Sequence, residues 1–420
     1  MNRRLLGSLL LACVLFSACS GTTGAAPAAP AAEASPVPTA FDGARAMAHV
    51  QALAGGIGPR VAGSANEQRA ADYIRDQFKA YGYDVEEVPF TFSGDRFQPA
   101  TVTIDGKPLG SAFTLLGSTP GQLTARAASV GLGDAAGVAG RDLTGLIAVA
   151  DRGTLTFAEK YDNVRRAGAA GLIVVNTEDG DLLGTIYKDG DIPMAGVGRA
   201  GRATLNDAIA AGKQVTIEVP PTGKTPSINV IARPAKGAEC RVIVGGHHDT
   251  VPSAPGAHDN ASGAAETLEL ARTFAADGLD AGLCFATFGA EESGLFGSQE
   301  MVKDLASRNA LPRAMVNLDM VAVGTQVSLI GTAELVGPAL AKAKELGIDA
   351  AAVTLGFAFG SDHQPFEKAG VPVLAFATND LGNFHTPQDI VEAVSVTMLD
   401  SNGRLAYAVI AELLQRVAQG

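Results

Sequence analysis

The stretch SANEQRAADYIRDQFKAYGY spaces Ala71, Ile74 and Phe78 three and four positions apart, which predicts one apolar face of a helix. Ser64 followed by Glu67 has the form of a capping box at its start. DVEEVPFTF then alternates apolar and polar residues, as a half-buried strand does. A second strand, SINVIARP, comes only at 227–234. From there, short apolar runs alternate with helical periodicity. RVIVGGHHD, LCFATFGAEE, AMVNLDMVA and VPVLAFAT read as strands. NASGAAETLELARTFAAD, GLFGSQEMVKDLAS, PALAKAKELG and a short DHQPFEKAG read as helices. SVTMLDSNGRLAYAVIAELLQRVA closes the chain as a long helix despite Gly403. The alternation predicts an α/β fold: a doubly wound, mostly parallel sheet with helices on both faces. Ligands of such sheets collect beyond the carboxyl ends of the strands.

Residues 115–222 have a different texture. LIAVADRGTLTFAEKYDNVRRAGAAGLIVVNTE reads as strand, helix, strand; a further strand and helix follow, then QVTIEVP. We read this span as an inserted small α/β module dividing the main domain into 42–114 and 223–420. Its charges, Asp142, Asp151 and those of 158–166, are scattered as on a solvated helix face and form no metal-like cluster.

The N-terminus has another grammar. MNRR, the apolar LLGSLLLACVLF and the small residues of SACS form a secretory signal over 1–19, too short to span a bilayer as a permanent helix. Cys19 sits where a lipobox cysteine would be lipidated, although Phe16 replaces the usual Leu. The Ala/Pro-rich 20–41 reads as a disordered tether. The expected location is outside a bacterial cytoplasm, on a membrane through a lipid on Cys19, or secreted if the signal is simply cleaved.

Composition narrows the partners. The 420 residues carry a formal net charge of −12, which argues against nucleic-acid binding and mildly favours cationic ligands such as metals and amines. Cys240 and Cys284 each open an apolar run, and no zinc-type cysteine spacing exists. Export would permit a disulfide, but we expect two buried thiols.

The predicted strand ends carry the chemistry. His247 and Asp249 follow the first, with Asp259 in the loop beyond; Glu291 and Glu292 end the next, Asp319 a third, and His385 follows a fourth. Any one of these could be a surface or capping residue, and Asp259 could N-cap the helix after it. Four polar strand ends in a row point to a site. Clustered carboxylates repel unless cations neutralise them, and histidines with carboxylates suit zinc. Neighbours on a strand point to opposite sides, so the paired glutamates divide the work: one ligates, the other serves as general base. A two-metal hydrolase needs that division, with a metal-bridging water of lowered pKa.

The motifs GGHHDT, GAHDNASG, FGAEESGLFGS, NLDMV, SDHQPF and FHTPQD, in this order, resemble those of the co-catalytic dizinc aminopeptidases, the family related to glutamate carboxypeptidase and to the transferrin receptor ectodomain. GPRVAGSANEQRAADYIRDQF resembles that family's opening segment, and the insertion resembles a protease-associated domain. The resemblance spans about residues 43–420. It implies two Zn2+: one held by His247, Asp259 and Asp319, the other by Asp259, Glu292 and His385, with Asp259 bridging. It further implies Glu291 as general base, Asp249 orienting His247 through its other ring N–H, and a cis peptide after Asp259. His248, His258, His363 and Phe384 become candidate substrate contacts. Phe384 stands where some members carry a Tyr that stabilises the oxyanion. His49 reads as a surface residue.

The expected activity is hydrolysis of N-terminal peptide bonds in peptides with a free N-terminus, by an exported, lipid-anchored dizinc metallopeptidase. A carboxypeptidase or dipeptidase on the same scaffold stays open, although Arg and Lys are not prominent in the late motifs. A one-zinc glutaminyl cyclase fits the motifs less well. A lipid-anchored binding protein with a dead site is the alternative from another class.

Overall fold

The computed structural model describes residues 41–93, 98–178, 181–186, 188–221, 223–354 and 360–419. The signal segment, Cys19 and nearly all of the expected tether lie outside these residues. Phe41, placed at the end of the tether by sequence, is instead buried. Its ring occupies the space a Cβ at Gly403 would need, which is why the long helix Val396–Gln419 tolerates a glycine there.

In chain order the strands are β1 (Asp84–Ser93), β2 (Pro99–Ile104), β3 (Lys107–Pro108), β4 (Ala112–Thr114), β5 (Gly121–Ser129), β6 (Ile147–Asp151), β7 (Gly171–Val175), β8 (Met194–Val197), β9 (Gln214–Val219), β10 (Lys224–Arg233), β11 (Val242–His247), β12 (Leu283–Phe288), β13 (Ala314–Leu318), β14 (Val327–Gly331), β15 (Ala350–Ala352) and β16 (Val373–Thr378). They form two sheets. The main one has the order β1-β10-β12-β11-β13-β16-β14-β15. Its centre, β12-β11-β13-β16, is parallel. The flank β1-β10-β12 is antiparallel, and so is the β14–β16 pair.

The central strands are buried along their whole length and therefore lack a polar alternation. Successive side chains go to opposite faces. Val242 and Val244 join the larger apolar cluster with Leu268, Phe274 and Leu399, whereas Ile243 joins the opposite cluster with Met301, Leu305 and Phe366. Helix Ser262–Asp277 covers the first face and helices Phe296–Ser307 and His363–Lys368 the second, giving the two-sided cover. Full burial of a Phe or Leu of this kind is worth about 1.5–3 kcal/mol. Strands β14 and β15, absent from the sequence reading, extend the sheet beyond β16.

Helix Ala65–Ala80 starts where expected, with the Ser64 hydroxyl accepting from Glu67 N–H. The Glu67 carboxylate does not complete a capping box. It accepts instead from Gly63 N–H and from the Ser227 hydroxyl, and is buried. His49 is also buried, with Nδ1 2.6 Å from the Tyr73 hydroxyl and Nε2 3.2 Å from that of Tyr81.

The second sheet, β3-β2-β4-β8-β7-β6-β5-β9, belongs to the inserted module and has its own cores. It takes in residues 99–114, which the sequence reading gave to the main domain. The reason is the β2–β9 pairing, Thr101 opposite Glu218 through Ile104 opposite Val215, which brings the two ends of the insertion together. Cys240 and Cys284 are a disulfide rather than two thiols, with a Cα–Cα distance of 5.3 Å. The parallel register of β11 and β12, Ile243 opposite Cys284, brings the start of one strand beside the other.

Candidate active site

The parallel register gathers the polar residues at one end of the sheet. His247 lies opposite Phe288, and Asp319 directly follows the end of β13. Gly246 lets β11 pass close to Leu318 O, where a Cβ would collide. Asp259 sits in the turn Ala257–Ala261 with a cis peptide to Asn260. Asn260 locks that turn to β13: Nδ2 donates to Leu318 O (2.9 Å) and Oδ1 accepts from Gly263 N–H (2.8 Å). Asp389 holds it from the other side, accepting from His258 N–H (2.7 Å) and Asp259 N–H (3.0 Å).

Glu291 and Glu292 are not on a strand. β12 ends at Phe288, Ala290 adopts φ 54°, and the glutamates open the short helix Glu291–Gly294. The alternation argument therefore does not apply to them, and both line the same pocket. Asp249 holds this turn: its two carboxylate oxygens accept from Glu291 N–H (3.0 Å) and Glu292 N–H (3.1 Å).

Two groups of metal-ligating side chains result. His247, Glu291 and Asp319 form one; Asp259, Glu292 and His385 form the other; within each the donor atoms lie within 4.8 Å of one another. The Asp259 carboxylate faces both, with Oδ1 3.1 Å from His247 Nε2 and Oδ2 3.2 Å from His385 Nε2. His247 Nε2 is also 3.4 Å from Asp319 Oδ1 and 3.9 Å from Glu291 Oε2. His385 Nε2 is 3.1 Å from Glu292. The donor set fits zinc. Both Nε2 atoms face carboxylates, and His247 Nδ1 lies 3.2 Å from Asp249 O, a backbone acceptor that leaves Nε2 for a ligand. Asp319 Oδ1 is buried and accepts no hydrogen bond. Its other oxygen accepts from the Ser361 hydroxyl at 2.6 Å.

The electrostatics call for a cation. Burial opposes charge on His247, but Glu291, Asp319, Asp249 and Asp259 together raise its pKa well above the ordinary value. Burial likewise opposes charge on His385, yet Glu292 and Asp259 raise it to about 9. Burial pushes Asp259 up, and the two imidazoles outweigh that and hold it well below the usual carboxylate range. Four carboxylates gathered about two imidazoles form an arrangement that a bound cation would neutralise.

Behind the site lies a buried cation. Arg60 is fully buried and donates to five backbone carbonyls, among them His248 O (2.8 Å), Pro255 O (2.7 Å) and Gly256 O (2.9 Å). It thus ties the loop between His247 and Asp259 to the opening segment. Neither Arg60, Asp389 nor Ser361 was singled out from sequence, although each lies within or beside a quoted motif.

The remaining candidates separate. His363 and Phe384 line the pocket with the candidate metal ligands. His363 is buried, Nδ1 has no hydrogen-bond partner, and burial lowers its pKa to about 4, so the ring is neutral. Phe384 stacks on the His385 ring with centroids 3.6 Å apart. His248 does not reach the pocket: it is fully buried, with Nδ1 3.2 Å from Thr287 Oγ1. His258 also turns away, accepting from Ala322 N–H (3.4 Å) and placing Nε2 3.3 Å from Asp380 O. The sequence cue for both was proximity to His247 and Asp259, which does not fix where a ring points.

Comparisons with known proteins identify the family. Residues 229–410 match the model of peptidase family M28, and residues 118–205 match the PA domain. The chain is 30% identical over 401 residues to aminopeptidase YwaD of Bacillus subtilis, covering 90% of this chain and 86% of that protein. It is 30% identical over 263 residues to a Mycobacterium tuberculosis protein named "Probable lipoprotein aminopeptidase LpqL", covering 59% of this chain and 52% of that one. The structure of BSAP, a zinc aminopeptidase from Bacillus subtilis, superposes with a TM-score of 0.72 at 29% identity, over 90% of this chain and 96% of the other. The chain belongs to peptidase family M28.

Proposed function

We propose that the chain is a zinc-dependent aminopeptidase that binds two Zn2+ and removes N-terminal residues from peptides outside the cytoplasm. His247 and Asp319 would hold one ion, Glu292 and His385 the other, and Asp259 would give one oxygen to each. The observation that carries this reading is the Asp259 carboxylate, shared between His247 Nε2 at 3.1 Å and His385 Nε2 at 3.2 Å. Bound zinc would supply Lewis acidity toward the scissile carbonyl and toward water.

Glu291 serves as the general base. It takes a proton from the attacking water and returns it to the leaving amine. Asp249 fixes the turn on which that carboxylate stands. The relatives' names support removal of residues from the amino end. The pocket also supports it: its described lining includes no Lys or Arg to receive a substrate carboxylate there. Phe384 offers no hydroxyl for an oxyanion and instead forms an apolar wall against His385.

Purified protein should contain two zinc ions per chain and cleave aminoacyl anilides. N-acylation of the substrate and chelation should each abolish cleavage, and added zinc should restore it. Cleavage of N-acylated peptides from their carboxyl end would instead establish the carboxypeptidase alternative. We further infer that the chain is exported and lipid-anchored through Cys19. The signal-like 1–19 and a relative named as a lipoprotein support this. Radiolabelled fatty acid should enter the full chain and fail to enter a Cys19→Ser variant.

A further inference from the structure

A second cavity adjoins the catalytic pocket. Leu116, Thr185, Gly294 and Leu295 line both. Two of these come from the inserted module and two from the turn that follows Glu291 and Glu292. The divider is firmly built. Leu116 N–H donates to Gly184 O (2.8 Å) and Leu116 O accepts from Ile186 N–H (3.0 Å), forming an isolated bridge with Thr185. A Cβ at Gly294 would come within 2.7 Å of Leu116 Cδ2, so the glycine allows the module to rest on the catalytic turn. On the far side Phe92 stacks on Phe296, centroids 4.7 Å apart.

The two cavities differ in charge. The catalytic pocket is lined by Asp259, Glu291, Glu292 and Asp319. Among the described residues, the second cavity is lined by Lys188, Lys303 and Lys368 and by one acid, Asp189, in a chain of net charge −12. Lys188 is paired with Asp162 and Lys303 with Glu300, both at exposed positions where ion pairs are weak and readily exchanged. The catalytic carboxylates are the proposed zinc ligands and general base, so the contrast rests on the lysines, which suit the carboxylate at the far end of a short peptide.

We propose that the second cavity binds the leaving portion of the substrate, and that its lysines select short peptides with a free C-terminal carboxylate. The inference rests on the aminopeptidase reading. A peptide with its N-terminus in the catalytic pocket would cross the ridge of Leu116 and Gly294 at the scissile bond and continue between the module and helix Phe296–Ser307. The inserted module then supplies one wall of the substrate site, and electrostatic complementarity sets the preference.

The test measures kcat/KM for a series from dipeptide to hexapeptide sharing one N-terminal residue, each as free acid and as C-terminal amide. An aminoacyl anilide, too short to enter the groove, reports the catalytic pocket by itself. We expect the acid-to-amide ratio to rise to roughly tenfold at the length that reaches the lysines. It should return to near one in the Lys188→Glu/Lys303→Glu/Lys368→Glu variant, where the ratio cancels any general loss of folded enzyme. A ratio near one at every length, with the anilide cleaved, overturns the proposal and leaves the aminopeptidase standing. A high ratio that survives in the triple variant overturns it too. Failure to cleave the anilide, with free-acid peptides still cut, overturns the aminopeptidase reading and the groove assignment built on it.

Discussion

The Asp249 carboxylate holds the backbone of Glu291: Oδ1 accepts its N–H at 3.0 Å, and Oδ2 accepts that of Glu292 at 3.1 Å. His247 Nδ1 lies 3.5 Å from the same carboxylate and 3.2 Å from the Asp249 carbonyl. Sequence resemblance gave Asp249 the task of orienting His247. In the structure its carboxylate chiefly fixes the turn that presents both glutamates. Asp249→Asn would turn one acceptor oxygen into an amide facing a backbone N–H. We expect kcat to fall about 10–100-fold, the range for residues that support a metal site from behind. The fall should exceed the change in KM and persist at saturating zinc. Wild-type kcat in a folded, zinc-loaded Asp249→Asn protein would refute the role.

The two glutamates should respond differently to the same change. Glu291→Gln should keep its zinc content and lose about 10²–10⁴-fold in kcat, the usual contribution of a general base. Glu292→Gln should lose metal first, because Glu292 stands 3.1 Å from His385 Nε2 in the second group. Metal analysis beside steady-state kinetics separates the roles. Loss of zinc in Glu291→Gln would instead make it a ligand, as its place beside His247 and Asp319 would permit.

Much of this site was legible because of how a parallel sheet is built. β11, β12 and β13 are buried from end to end and mostly apolar, so the polar residues at or just after their ends stood out and their convergence followed from the topology. The orientation of Glu291 and Glu292 was not legible. It depends on the positive φ at Ala290, a residue that carries no turn signature. Arg60 and Asp389 act through backbone carbonyls and N–H groups distant in sequence, and such partners leave no pattern of their own. The reach of the insertion back to Pro99 was hidden for the same reason, because β2 pairs with β9 across more than a hundred residues.

The disulfide should be a measurable part of stability. It closes a sequence separation of 44 residues between Cys240 and Cys284. Chain-entropy arguments assign such a loop roughly 4 kcal/mol, with smaller values where the unfolded chain keeps structure. The Cys240→Ser/Cys284→Ser variant should lower the urea midpoint accordingly. The active-site carboxylates lie at the other end of β12, so kcat/KM of the folded variant should stay close to wild type. An unchanged midpoint would mean that the bridge adds nothing to stability.

His49 gives a pH dependence removed from the metal-ligating cluster. It lies in helix Gly43–Val50, between the Tyr73 and Tyr81 hydroxyls, and is 8% exposed. Burial, with smaller contributions from Arg272 and Arg45, lowers its pKa from 6.5 to about 4. Between those values the unfolded chain binds a proton that the folded protein does not. Stability from this residue is therefore fully present above about pH 6.5 and is lost as pH falls toward 4. At 1.36 kcal/mol per unit the whole window is worth roughly 3 kcal/mol. His49→Gln keeps a donor and an acceptor for the two hydroxyls but cannot take up the proton. Denaturation of wild type and variant in parallel from pH 7 to pH 5 cancels the titration of every other group. The wild type should lose more stability than the variant over that interval. Parallel curves would show that the His49 pKa does not differ between the folded and unfolded states.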